Sequence, residues 1–392
     1  MSGILNVTER PLYDESITKK EYHTYLPYLQ SYGNNDEIRI SIQNQDLYVL
    51  LSESLLCIDG AVTKINDNKR VVPTDMTFKN NCAAHLFNEI RYELNGNEVD
   101  RTRFLGHATT IKNLVSLSPT ESSMMRNAGW SLDENIAHAN SHFSFCVPLK
   151  ALLGFAEDFE KILINSKHEL ILIRTKADEN LFYKPNGEII ELKILKISWK
   201  VPHIQIADAV KLQTYKIVKS GTPLPIVFRS WDCHFNPGLP ESTNHSWIVK
   251  MAPQNERPRF ALIAFEHNGQ FTDSSITDLK VHLNSETYPY DDLNLNLARN
   301  HISLLYDMYA KFQKSFYLRE PQPLLNCTEF KKYPIFVIDL SHQNEQVKTG
   351  PIDIRIEFKT LANIKPKTSA HCVLIHDRVL TYSPLTGQIE KH

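Results

Sequence analysis

A chain of 392 residues exceeds the ~250–300 at which a single core stops growing, so two domains, or one domain written twice, are expected. Hydrophobic residues make up 42% and charged residues 22%, which excludes a disordered chain and leaves enough apolar surface for a large core. The 43 Lys+Arg against 45 Asp+Glu give a net charge of −2, which excludes the field of a sequence-wide polyanion binder, and no run approaches the ~18 apolar residues of a membrane span.

Met1-Ser2-Gly3-Ile4-Leu5-Asn6 has neither the basic start nor the apolar stretch of a signal peptide, so the expectation is a protein not secreted by the ordinary route. The Asn-X-Ser/Thr matches at Asn6, Asn244 and Asn326 are then chance occurrences. Residues 1–33 read as an extended arm, in which Tyr13, Tyr22, Tyr25, Tyr28 and Tyr32 are punctuated by Pro11, Pro27 and Gly33. With Arg10, Lys19 and Lys20 as its cations, the arm suits packing on a domain or a neighbouring subunit better than stacking on bases.

A first domain is expected over 34–206. Ile38, Ile40 and Ile42 alternate with Arg39, Ser41 and Gln43, and apolar runs follow at 47–51 and 55–62, which together predict a sheet. Another strand ends in Asn95-Gly96, a pair that tolerates left-handed backbone and predicts a turn. Ile111, Leu114 and Val115 share a helical face. Ser118-Pro119-Thr120-Glu121 carries a cap, a first-turn proline and a capping-box glutamate, which predicts a short helix through Met125. Strand patterns resume at 143–147, 162–164, 170–173 and 194–201, where Ile197, Trp199 and Val201 oppose Lys196, Ser198 and Lys200.

Residues 207–224 read as a junction, running into Gly221-Thr222-Pro223-Leu224-Pro225. A second domain is expected over 225–385, with strands at 226–230, 247–251, 260–265 and 279–283 and a helix near 297–313. Ile352, Ile354, Ile356 and Phe358 alternate with Asp353, Arg355 and Glu357, as in a strand with one core face and one wet face. Strands at 373–375 and 379–382 and a tail over 386–392 complete the chain.

The halves echo one another in order. Ile90-Arg91-Tyr92-Glu93-Leu94-Asn95-Gly96 returns as Leu279-Lys280-Val281-His282-Leu283-Asn284-Ser285. The face of Ile111, Leu114 and Val115 returns as Ile302, Leu305, Tyr306 and Tyr309, and Phe145-Cys146-Val147-Pro148-Leu149 returns as Ile335-Phe336-Val337-Ile338-Asp339-Leu340. Asn95 and Asn284, Ile111 and Ile302, and Val147 and Val337 lie 189, 191 and 190 residues apart. The fold class is therefore all-β, as paired antiparallel sandwiches of jelly-roll type with short helices in the connections.

No convergent chemistry is visible. The six cysteines lie far apart, and Cys57 and Cys146 sit in apolar runs, so they read as free, buried thiols in a reducing compartment. HExxH, HxH, GxxxxGK[ST], GxGxxG and GxSxG are all absent, so catalytic, metal and cofactor residues are assigned as none. His138 and His142 read as solvated loop histidines, Cys233-His234 as poor partners, and Glu157-Asp158 and Asp291-Asp292 as solvated surface pairs. Glu256-Arg257-Pro258-Arg259 reads as a strand lead-in.

Several segments together carry a family resemblance: Tyr22-His23-Thr24-Tyr25, Asn34-Asn35-Asp36-Glu37-Ile38-Arg39-Ile40, Leu86-Phe87-Asn88-Glu89 with the strand that follows, and Asn127-Ala128-Gly129-Trp130. The second half adds Pro258-Arg259-Phe260 and Leu283-Asn284-Ser285-Glu286-Thr287-Tyr288-Pro289-Tyr290-Asp291. The chain resembles the double-jelly-roll major capsid proteins of double-stranded DNA viruses and virus-like elements, especially the double-jelly-roll-like domain proteins of virus-derived genes in arthropod genomes. The resemblance spans about residues 20–385.

It implies two tandem eight-stranded antiparallel jelly rolls and no enzymatic activity. Three copies would form a homotrimeric, pseudo-hexagonal capsomer of an icosahedral shell, with minor or penton capsid proteins as further partners, no membrane insertion and weak or no direct nucleic-acid binding. The expected location is the virion, after assembly in the cytoplasm or nucleus. Tyr13, Tyr22, Tyr25, Tyr28 and Tyr32 become an inter-subunit arm. Asn95, Gly96, Asn284, Ser285, Tyr288, Pro289 and Tyr290 become turn and family-motif positions. The alternative is a host-domesticated jelly-roll binding protein that builds no shell, with Trp130, Tyr183 or Trp231 as exposed platforms; a cupin-like metalloenzyme lacks its HxH ligands.

Overall fold

The computed structural model describes residues 16–43, 48–66, 69–71, 77–132, 136–137, 142–183, 189–252, 257–342 and 351–392. The first roll uses β1 (Ile17–Tyr25), β2 (Glu37–Ile42), β3 (Leu55–Asn66), β4 (Phe87–Leu94), β5 (Asn97–Arg103), β6 (His142–Pro148), β7 (His168–Arg174) and β8 (Ile189–Ile206). They pair in the orders β1-β8-β3-β6 and β2-β7-β4-β5, all antiparallel.

The second roll uses β9 (Leu224–Asn236), β10 (Asn244–Ala252), β11 (Pro258–His267), β12 (Ile276–Leu283), β13 (Glu286–Tyr288), β14 (Phe336–Asp339), β15 (Ile352–Thr360) and β16 (Thr368–Tyr382). Its orders are β9-β16-β11-β14 and β10-β15-β12-β13. Each strand thus takes the place of the strand eight earlier, and the sequence echo is a repeat of topology. Short strands decorate both rolls, including the hairpin strand Gln270–Thr272 and a small sheet of Thr77–Phe78, Ile136–Ala137 and Phe182–Tyr183.

The echo extends to single hydrogen bonds. Asn95 and Asn284 both sit in left-handed backbone, φ 51° and 52°, in tight turns between Leu94 and Asn97 and between Leu283 and Glu286. Asn95 donates its backbone N–H to the Lys167 carbonyl at 2.9 Å, and its side-chain oxygen accepts from the Lys167 N–H at 2.7 Å. Asn284 makes the same reciprocal pair with Asp353, at 3.0 and 2.9 Å. A short amide side chain that tolerates this backbone and pins the adjoining strand explains why Asn recurs there.

Helices fill the connections: α1 (Leu105–Ser116) follows β5, α2 (Asp208–Lys219) joins the rolls, and α3 (Ser303–Tyr317) follows β13. The Ser118 capping box forms as expected, its Oγ accepting from Glu121 N–H while the Glu121 carboxylate accepts from Ser118 N–H, over a helix at Pro119–Met124. The junction is itself largely helical, because its prolines fall only after Gly221 has ended α2. The second-half helix starts later than the pattern predicts, since 296–301 closes a tight turn first.

Two expected segments gain a definite place. Of the two packing places expected for the arm, Ile17–Tyr25 takes the domain: it is a strand that pairs along its length with β8 and so belongs to the first roll. Its polar, tyrosine-rich composition belongs to an exposed edge strand with little side-chain burial. The tail is also tied down, with Ile389–Lys391 pairing to Leu380–Tyr382. The predicted strands at 373–375 and 379–382 are one, β16, whose polar middle is carried by pairing to β9.

The two cores are exchanged at the boundary. Ala108, Ile111, Leu114 and Val115 of α1, together with Trp130, join the apolar cluster of the second roll. Conversely, Ile226, Phe228, Leu380 and Tyr382 join that of the first. Burying apolar surface of each roll in the other makes the pair one block.

Candidate assembly surfaces and the inter-roll junction

The junction buries charge as well as carbon. Lys112, on α1, is buried with its ammonium 4.5 Å from the centre of the Trp231 ring. It donates to the Glu157 carboxylate and to the Tyr317 hydroxyl at 3.1 Å, while that hydroxyl donates to Glu157 at 2.7 Å. Burial first, and the Glu157 carboxylate second, push the Tyr317 hydroxyl well above its ordinary range, so it stays a donor. Arg229 forks onto Asp158 at 2.6 and 2.7 Å and lies 3.7 Å over the Phe316 ring. Burial opposes its charge, but Asp158 outweighs that and holds the guanidinium protonated.

Asp100 of β5 is fully buried, accepting from Ser230 Oγ of β9 at 2.5 Å and from Phe155 N–H at 2.9 Å. Arg319 grips the Glu121 carboxylate with two bonds of 2.9 and 3.0 Å. Partial burial would raise that carboxyl, yet Arg319 and Ser118 outweigh it and hold it at about 2. Gly154 is required where its backbone meets β9: a Cβ there would lie 1.9 Å from the Arg229 carbonyl oxygen.

Elsewhere along α1, His107 and His371 reach the same Glu266 oxygen at 3.3 and 3.0 Å. Burial would raise the Glu266 carboxyl, but both imidazoles outweigh it and hold it well below the carboxylate range. The ligand atoms of this trio fall within 4.8 Å of one another. The two rings are stacked, 4.4 Å apart and 10° from parallel, both nitrogens are taken up by the one Glu266 oxygen, and His371 Nδ1 is buried without a hydrogen-bond partner. The trio is a hydrogen-bonded clasp between the rolls.

The sequence-level candidates divide sharply. Tyr25 and Tyr32 are committed to their own roll: Tyr25 bonds His203 Nε2 at 2.8 Å, and Tyr32 packs on the first core. Tyr22 and Tyr28 are exposed beside Ile17, Leu26 and Leu29, whereas Tyr13 lies outside the described residues. Asn95, Gly96, Asn284 and Ser285 form the two hairpin turns, and Tyr290 protrudes just beyond Tyr288 and Pro289.

Trp130 and Trp231 are fully buried and offer no exposed platform; the Tyr183 side chain and His138 lie outside what the structure describes. Glu157-Asp158 is no solvated surface pair, since both carboxylates are taken up at the junction. Asp292 does stay exposed, paired to Lys280 at 2.6 Å. Cys82, Cys233 and Cys372 are buried, but Cys57 and Cys146 are only half-buried because they alternate away from the core that Leu56, Ile58, Phe145 and Val147 enter. Further apolar side chains are exposed on α2, at Leu212, Tyr215 and Ile217. No helix among the described residues is long and apolar enough to cross a membrane.

The profile of the double jelly roll-like domain matches residues 76–380. The chain belongs to this family. Solved structures with the same fold include PBCV-1 VP54, fitted into a reconstruction of the virophage Sputnik (TM-score 0.63, 9% identity, 97% of this chain and 98% of that one). The Faustovirus major capsid protein matches with a TM-score of 0.61 at 9% identity, covering 96% and 92%. The mavirus major capsid protein matches at 0.58 and 11%, covering 100% and 93%. No curated protein matches in sequence. Sequence reasoning missed Lys112, Glu157, His107, Glu266 and His371 as a set. Lys112, the one Lys, Arg, Asp or Glu among residues 105–116, was the one local signal.

Proposed function

We propose that this member of the double jelly roll-like family is a structural capsid subunit that trimerises, so that three chains place six similar rolls around one axis. Such pseudo-hexagonal capsomers would tile an icosahedral shell. The observation that carries this reading is that two rolls of identical strand order are locked into one block by exchanged cores. A rigid two-lobed block meets a sixfold packing requirement with only threefold symmetry. The likeness in fold to the mavirus and Faustovirus major capsid proteins supports it.

In this reading the exposed stretch from Ile17 to Leu29 with Tyr22 and Tyr28, and the apolar face of α2, are subunit contacts. The product is a virion component assembled inside the cell together with minor capsid proteins. A net charge of −2 leaves genome binding to other components.

Light-scattering mass of the purified protein, with negative-stain images of the same fractions, tests the proposal. The expected result is three times the 45.1 kDa chain mass, or hollow shells built of such units. A strict monomer across salt, pH and concentration would overturn it and turn attention to a domesticated binding protein.

A further inference from the structure

Cys57 of β3 and Cys146 of β6 stand directly opposite one another in an antiparallel pair, with their sulfurs 3.3 Å apart. Opposed residues in such a pair have Cα atoms ~4.5–5.5 Å apart, inside the ~4.4–6.8 Å that a disulfide spans. Both side chains lie on the outward face of the sheet, beside the opposed pair Ser144 and Asp59, which hydrogen-bond at 2.6 Å. Half-burial leaves them within reach of a small solute, unlike Cys82, Cys233 and Cys372 in the cores.

We propose that Cys57 and Cys146 are a modification site: they close to a disulfide that staples β3 to β6 when the protein meets a small-molecule disulfide such as oxidised glutathione. The thiolate of one cysteine attacks the reagent, forming a mixed disulfide and releasing one glutathione thiolate. The second cysteine, as its thiolate, attacks the protein-side sulfur of that mixed disulfide and releases the other. Two protein thiols are oxidised, two glutathione thiols are formed, and the two protons go to them. Side-chain rotation suffices, because the strand pairing already holds the backbones at disulfide distance.

Burial, with Cys146 beside it, pushes the Cys57 thiol up to about 12, so closure is slow at neutral pH and the pair persists as thiols in a reducing cell. The cross-link would join residues 89 apart and enclose β4, β5 and α1. The second roll has no counterpart: its equivalent pair, β11 with β14, joins Phe260–Ile263 to 336–339 without a cysteine. The staple therefore belongs to the first roll alone, and it stands whatever the oligomeric state.

The test is a non-reducing peptide mass map of the folded protein in a Cys327→Ser background, after prolonged incubation with oxidised glutathione at about pH 8.5. A cross-linked peptide pair holding Cys57 and Cys146, two hydrogens lighter than its reduced parts, is the expected result. The unfolding midpoint should rise by about 2–6 °C, and Cys57→Ser or Cys146→Ser should each abolish that rise. Recovery of both cysteines as free thiols, or only as separate glutathione adducts, would overturn the proposal.

Discussion

The helices α1 and α3 occupy the same place in the two rolls, yet their environments are opposite. α3 buries one face, through Leu305, Tyr309, Phe312, Gln313 and Phe316, and leaves Leu304 and the Asp307–Lys311 ion pair in water. In α1 every residue but His107 is buried, because the second roll covers the side that would otherwise be solvated. Tyr309 of α3 even donates its hydroxyl to the Leu114 carbonyl of α1 at 3.0 Å. One repeat, placed against the second roll in one copy and against water in the other, carries a buried lysine in the first and a surface lysine in the second.

The sharpest way to break the asymmetry is at the contact of Gly154 with β9. Gly154→Ala should cost more than about 4 kcal/mol, because its Cβ would meet the Arg229 backbone carbonyl, which cannot rotate away as a side chain can. Gly238→Ala, which meets nothing within 4 Å, is the control, and urea unfolding compares the two. Next in size is the lysine contrast. Lys112→Ala should cost ~3–5 kcal/mol, since it removes the only cation of a largely buried pair and leaves Glu157 with the Tyr317 hydroxyl alone, whereas Lys311→Ala should leave the unfolding midpoint unchanged.

A third contrast concerns pH. In the first roll burial lowers His168 to about 3 and His203 to about 4, so both are neutral when folded, while an unfolded histidine protonates near ~6.5. Their contribution to stability is present in full above that value and is lost as pH falls through it toward 3–4, because the unfolded chain then binds the extra protons. Unfolding free energy measured between pH 7 and 4 should therefore fall, and His168→Gln should flatten the slope by up to one proton. An unchanged slope would mean that His168 already takes up its proton in the folded state.

Much of the sheet structure was legible because its signal is local. The alternation at Ile352–Thr360, the capping box at Ser118 and the turn asparagines Asn95 and Asn284 each depend on residues only a few positions away. Where the arm would pack was not legible for a related reason: β1 is an edge strand whose side chains are mostly exposed, so it carries no core pattern, and its partner β8 is ~180 residues distant. The junction network was illegible because Lys112, Glu157, Arg229 and Tyr317 meet only when the rolls close, and a carboxylate pair in isolation reads as surface.

By itself the sequence determined that this is a β protein written twice, where its turns and caps fall, and which residues face each core, since period-two burial and left-handed turn backbone are properties of short segments. Only the tertiary structure decided what covers the other faces: water over α3, a second roll over α1, and a half-open sheet face that brings Cys57 to Cys146. Local pattern encodes whether a side chain leaves water, whereas the identity of what replaces the water is set by chain segments far away in sequence.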